Sequence, residues 1–195
     1  MDRRHLLLSG LAALFYPHAA ASAPMPYTIG PKGAQISYLF NLQGSTVIGT
    51  APLLRADLRI DPTALQNSSA EVTADLRKAR TRLFFATEAL KSATVLDIDR
   101  FPNARFVSER ILLGPNGRIS GGAAIEGALT LRDVTRPIRF DADLFRKPNS
   151  APNDLRALDI RLRTTIDRND FGASGYAALV APEVGVDIRA DLLAL

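Results

Sequence analysis

Cysteine and tryptophan are absent from this 195-residue chain, and its two histidines, His5 and His18, both fall within the first 23 residues. Beyond residue 23 there is therefore no thiol nucleophile, no histidine-based triad and no zinc site of the usual His/Cys type. Disulfides are excluded too, so the fold must be held by its core alone. Roughly 170 residues suffice for one such core. No S-x-x-K pattern gives Ser45, Ser108 or Ser174 a lysine base. Long apolar runs are also missing. Leu6 to Tyr16 is too short to span a bilayer comfortably, and no later segment comes near that length. Massed positive charge is lacking as well. The formal net charge is +4 and falls to +3 without residues 1–23, and arginine is spread along the chain. Nucleic-acid binding is not expected.

What is present begins with an export pattern over residues 1–23. Arg3 and Arg4 form the charged start, Leu6 to Tyr16 the apolar run, and Ala21-Ser22-Ala23 a small-residue cleavage site. Pro24 should hinder a cut after Ala23, so a cut after Ala21 is the alternative. Arg3-Arg4 lacks the rest of a twin-arginine motif, which favours an ordinary charged start. The expectation is a cleaved signal, a soluble domain over 24–195, and a periplasmic or secreted location.

The domain reads as alternating strands, roughly 35–42, 46–60, 69–78, 104–113, 118–132, 136–146, 156–168 and 183–193. Turn chemistry separates them at Asp61-Pro62, at Gly114-Pro115-Asn116-Gly117 and along the loop 147–154. In Glu126–Phe140, Leu129 and Leu131 alternate with Thr130 and Arg132. Asp133, Val134 and Thr135 then turn the chain into a second alternating run through Ile138, Phe140, Ala142 and Leu144. Residues 81–97 break the pattern, with good helix formers and no Gly or Pro, so a helix or two short helical turns are expected there. There is no repeat, low-complexity tract or linker. The fold class is all-β, an eight-stranded antiparallel barrel or a sandwich, with the helical insertion across one opening.

Five motifs in order narrow this. The run G-x-L-T-L-x-x-V-T-R-P from Gly127 to Pro137 resembles a signature of the YceI-like family. Gln35-Ile36-Ser37-Tyr38 resembles its first strand and Ile60-Asp61-Pro62 its turn. Leu90-Lys91-Ser92 with Arg100-Phe101-Pro102, Phe106 and Ser108 resembles its central segment. Asp167-Arg168-Asn169-Asp170-Phe171-Gly172 resembles "NRxDFG", with Asp167 in place of Asn. The resemblance implies a lipocalin-like barrel that carries a polyisoprenoid lipid without a cofactor, a binding protein rather than an enzyme. One departure stands out. The family's R-D-x-H-L before "KS" is Ala86-Thr87-Glu88-Ala89-Leu90 here, so any ligand contact by those polar groups does not carry over.

The inward phase comprises Ile36, Tyr38, Phe40 and Leu42; Val72, Ala74 and Leu76; Leu129 and Leu131; Ile138, Phe140, Ala142 and Leu144; Leu158, Ile160 and Leu162; Val184, Val186 and Ile188. Such a barrel is either filled by its side chains or holds one slender ligand, and size alone leaves both readings open. Candidate tail contacts are Tyr38, Phe40, Phe84, Phe85, Leu90, Leu96, Phe106, Leu129, Phe140 and Leu144, and the phase at Phe106 can be read either way. Lys78 and Arg80 continue the inward phase past Leu76, which would place them at the rim to meet an anionic head group. The alternative is a solvated strand end, or a patch touching anionic lipid at a membrane surface. Two carboxylate pairs, Asp97 with Asp99 and Asp167 with Asp170, keep open a cofactor-free enzyme. Against it, Asp97 and Asp99 read as turn residues, and Asp167, Arg168 and Asp170 as a local ion-pair and turn network. A filled barrel acting as an interaction module is the third reading. No metal is expected. Oligomeric state is not legible in the sequence.

Overall fold

The computed structural model describes residues 23–114, 122–151 and 154–195. Residues 1–22 of the expected export signal lie outside them, as do Pro115 to Gly117 of one expected turn. The strands are β1 Met25–Leu42, β2 Ser45–Ala51, β3 Leu53–Ile60, β4 Ser69–Asp75, β5 Arg80–Thr81, β6 Asn103–Leu113, β7 Ala123–Leu131, β8 Val134–Arg146, β9 Ala157–Asp167 and β10 Val180–Ala194. Among the described residues there is one α-helix, α1, over Phe84–Lys91.

Every ladder is antiparallel. Pairing runs from β10 through β9, β8, β7, β6, β4 and β3 to β1, and β1 returns to β10, which closes an eight-stranded barrel. Pro52 has no N–H to donate and separates β2 from β3, so residues 45–60 act as one bent staff of the barrel. Its first half pairs with Ile36–Leu42 and its second with Met25–Tyr27. The turns follow local chemistry. Gln43 and Gly44 take φ +50° and +83° between β1 and β2, with Asn41 Oδ1 accepting the Gly44 N–H at 2.7 Å. After β3, burial pushes the Asp61 carboxyl up, but hydrogen bonds from Thr63, Ala64 and Asn67 outweigh it and hold it below its ordinary value.

Several elements differ from expectation: β5 is an added short strand, α1 covers Phe84–Lys91 of the expected 81–97, and β10 starts at Val180 rather than 183. β1 starts ten residues earlier than 35, because Pro31 and Gly33 form a bulge within the strand rather than end it; Ile29 pairs with Leu192 and Ala34 already with Ala190. β8 starts at Val134, since the hairpin turn is Arg132-Asp133, both at positive φ. β4 stops at Asp75, whose carboxylate caps a 3₁₀ turn over Leu76–Lys78.

The barrel's two halves differ in filling. At one end Tyr27, Leu158 and Leu192 are buried together, packed by Ile29, Leu58, Ile60, Leu144 and Ile160. The Tyr27 hydroxyl donates to the Leu155 carbonyl at 2.7 Å. Beside this plug, Lys147 Nζ bonds Asp159 at 2.6 Å and also Asp191. In the middle, Ile125, Phe140 and Ala142 pack with Phe106, Ile138 and Leu162. Above them the interior opens.

Candidate functional site

A cavity of about 790 Å³ occupies the upper half of the barrel. Alternating strands supply its wall: Ile36, Tyr38, Phe40 and Leu42 from β1; Ala51 from β2; Val72 and Ala74 from β4; Ala104 and Phe106 from β6; Leu129 and Leu131 from β7; Ile138 and Phe140 from β8; Thr164 and Ile166 from β9; Val184, Val186 and Ile188 from β10. An eight-stranded barrel is just wide enough to be filled by side chains. Here small residues hold it open, since Ala51, Ala74, Ala79, Ala86, Ala89, Ala104 and Ala173 all face the void. That volume is within the range of small-molecule sites. Its polar lining side chains are Tyr38, Glu88, Thr164, Arg168 and Tyr176. Tyr38 is buried enough that its phenol is pushed above its ordinary pKa, and it donates to the Arg80 carbonyl at 3.1 Å.

Two flaps border the mouth. One is α1 with the turns that follow it, through Phe84, Phe85, Leu90, Val95 and Leu96. The other is the segment 173–180, through Ala173, Gly175, Tyr176, Leu179 and Val180. Phe84, Phe85, Tyr176 and Leu179 line the cavity and are also solvent-exposed, which marks where it opens. Bonds tie the flaps to each other and to the wall. The Gly175 N–H donates to Thr94 O at 2.8 Å. From the β7–β8 turn, Arg132 Nη1 donates to Ala93 O at 2.8 Å and Val95 O at 2.6 Å.

Arg168 is the anchor of the second flap. Its side chain is buried without a carboxylate partner among the described residues, and burial pushes its guanidinium below its ordinary pKa. Nε donates to Ala181 O at 3.1 Å, Nη1 to Gly175 O at 2.8 Å and to Ala173 O, and Nη2 to Val180 O at 3.0 Å. The rigid fork of an arginine suits that task. The expected ion pair of Arg168 with Asp167 or Asp170 is not formed. Asp167 instead accepts the Asn169 N–H at 2.8 Å and caps the short turn Arg168–Phe171.

Nine of the ten residues expected to touch a ligand line the cavity: Tyr38, Phe40, Phe84, Phe85, Leu90, Leu96, Phe106, Leu129 and Phe140. The inward phase at Phe106, open in the sequence, is settled by its ring meeting Phe140 edge-on. Leu144 is a correction. It points inward as expected, but lies two strand repeats below Phe140 and belongs to the Tyr27–Leu158–Leu192 plug. Lys78 and Arg80 are a second correction. The 3₁₀ turn at Leu76–Lys78 shifts the alternation by one, so Ala79 points inward with 1% exposure while Lys78 and Arg80 point out. Both line a second, smaller groove with Gln35, Ile36, Thr50 and Ala51, and Lys78 Nζ stands 3.8 Å from Asp75. Neither expected carboxylate pair reaches the cavity. Asp97 is held in a turn, with its N–H on Ser92 O at 2.8 Å, and Asp167 is the cap just described. Glu88 is the cavity's only carboxylate among the described residues.

The sequence profile described as the YceI-like domain matches residues 27–192, which is nearly the whole barrel. The chain belongs to the YceI-like family. A UPF0312 protein of Vibrio cholerae is 27% identical over 191 residues, covering 95% of this chain and 97% of that relative. Among solved structures, Burkholderia cenocepacia BcnA superposes with a TM-score of 0.72 at 17% identity, covering 84% of this chain and 99% of its own. A polyisoprenoid binding domain from Saccharophagus degradans, implicated in plant cell wall breakdown, gives a TM-score of 0.62 at 11% identity, covering 88% and 99%. These likenesses show the barrel fold.

The residues missed in the sequence include those of the second flap, Ala173 to Val180, together with Glu88, Thr164, Ile166 and Arg168. The flap is irregular and has no period to read. Thr164 and Ile166 continue the phase of Leu158, Ile160 and Leu162, and extending that phase would have found them. The alanines at inward positions were the signal for a void.

Proposed function

We propose that this YceI-like barrel binds and carries an amphiphilic isoprenoid lipid, a polyprenyl species or an isoprenoid quinone, after export to the periplasm or beyond. The observation that carries the reading is the cavity of about 790 Å³, walled by apolar side chains and open at one end. Each methylene buried there contributes about 0.8 kcal/mol, so several isoprene units bind firmly without a metal, a cofactor or a covalent bond. The polar head stays at the mouth, near Tyr176 and Glu88, where the exposed lining begins. The polyisoprenoid binding domain of Saccharophagus degradans supports the choice of ligand by its shared fold. The hollow interior weighs against a filled barrel acting only as an interaction module. An enzyme reading has little to build on, with Glu88 joined by no second carboxylate in the cavity among the described residues.

The test is organic extraction of the purified protein followed by mass spectrometry, with uptake of an isoprenoid quinone, a polyprenyl phosphate and a straight-chain fatty acid measured in parallel. A co-purifying or captured prenyl lipid is the expected result. A protein that emerges lipid-free and takes up none of the three sinks the carrier reading.

A further inference from the structure

The rim of the mouth continues outward as a surface of its own. Phe84 and Phe85 line the cavity yet leave 81% and 63% of their area to solvent, and Leu83 beside them is exposed. Immediately before this apolar tip come Arg80 and Arg82, both exposed, and Lys91 closes α1 behind it. Much of the charge on the barrel wall is paired across strands, as in Arg105 with Glu71, Arg139 with Glu126, Arg161 with Asp187 and Arg163 with Asp143, while Arg136 and Arg146 bond backbone carbonyls. Arg80, Arg82 and Lys91 have no carboxylate partner among the described residues. Unpaired cations therefore flank three exposed apolar side chains at the mouth of the cavity.

We propose that this mouth docks on the surface of an anionic phospholipid bilayer. Leu83, Phe84 and Phe85 enter the acyl boundary, and Arg80, Arg82 and Lys91 meet lipid phosphates. The idea rests on the carrier reading and gives it a route, because a tail passes from leaflet to cavity along Phe84 and Phe85 without crossing water. It also gives the outward-pointing Arg80 a role that a cavity rim does not.

The chain has no tryptophan, so one introduced indole reports alone. Phe84→Trp is compared with Phe145→Trp, which sits 55% exposed on β8 at the plug end of the barrel, away from the mouth. Vesicles of phosphatidylcholine, with and without one third phosphatidylglycerol, are the probe. The expected result is co-sedimentation with the anionic vesicles and a blue shift at residue 84 but not at residue 145. Arg80→Gln with Arg82→Gln should weaken partition roughly thirtyfold. High salt should act in the same direction. Circular dichroism and a thermal melt check that the double variant is folded, and Leu83→Ser gives a second route to weakened partition. Absence of co-sedimentation overturns the proposal and leaves the patch to a protein partner. So does an equal shift at residue 145, equal binding to neutral vesicles, or a shift at residue 84 without co-sedimentation, which is lipid uptake through water. Extraction of the same preparations separates the two ideas. Docking without a captured prenyl lipid upholds the surface and sinks carriage; capture without docking does the reverse.

Discussion

Tyr38 and Gly49 face each other across β1 and β2, and the Tyr38 ring lies where a Cβ on residue 49 would stand. The missing side chain lets the ring lie against the wall and keep its hydroxyl on Arg80 O. Gly49→Ala should push the ring towards the cavity. The expected cost is about 1–3 kcal/mol, typical of overpacking. Adding Tyr38→Leu should recover part of it, and a double-mutant cycle of thermal or urea unfolding measures the coupling. Additive effects would show that the ring has another place to go.

Phe140 has 4% exposure and meets Phe106 edge to face, with ring centroids 5.2 Å apart. Phe140→Asp should prevent folding, because an unpaired buried charge is very costly. Phe140→Ala should keep the fold and weaken tail binding. Its stability cost is set near the lower end of the usual 3–5 kcal/mol, about 3, since one side of the ring already borders empty space. Urea titration checks the first number and quinone uptake the second.

Arg168→Lys should loosen the flap 173–180 while leaving the barrel intact. One ammonium cannot replace a fork that serves four carbonyls. Each buried carbonyl left unpaired costs about 1–3 kcal/mol. Hydrogen exchange at the Gly175 amide, now held by Thr94, should speed up markedly, with amides of β7 and β8 unchanged. Uniform acceleration would mean that Arg168 supports the whole fold.

The plug beneath the cavity sets a pH window. The Asp191 carboxyl is held below its ordinary 3.8, first by its bond from Lys147, with burial opposing. Its contribution is therefore present above that value and is lost as pH falls through the lower folded value. Lys147 is raised above its ordinary 10.5, by Asp159 and then Asp191. Its contribution is present below 10.5 and is lost as pH rises through the higher folded value. With no histidine beyond residue 18, nothing in the side chains titrates at its unperturbed value between pH 5 and 8. The melting-temperature gap between the native chain and Asp191→Asn should stay level from about pH 5 to 10 and close below pH 4. A gap that already closes at pH 6 would contradict the assignment.

Alternation carried most of the architecture. Period two placed Ile36, Tyr38 and Phe40 inside, and likewise Ile138 and Phe140, because a pleated strand must send successive side chains to opposite faces. It says nothing about height along the barrel axis, which is why Leu144 was assigned to the cavity and not to the plug. It also fails where a turn resets the count, as the Asp75 cap does before Lys78 and Arg80. Pro31 and Gly33 hid ten residues of β1, since their chemistry is that of a break and only pairing to β10 makes them a bulge. Whether the interior was filled or hollow depended on which alanines converge at one level, and that is a property of register.

The seam of the barrel joins β1 to β10 along most of both strands, and the Leu195 N–H donates to Pro26 O at 3.0 Å. Closure is thus the most non-local pairing the chain makes. Until Val180–Ala194 has arrived, the sheet has two unsatisfied edges, β1 and β9, ready to pair with any neighbour. Such closure is slow, because loop entropy is spent before the contacts form. Aggregation risk is therefore concentrated in the interval before the last fifteen residues of the barrel are in place. A permutant that fuses residue 195 to residue 24 and opens the chain in the loop after β8 would turn this seam into a hairpin and move the last closure to the β8–β9 ladder.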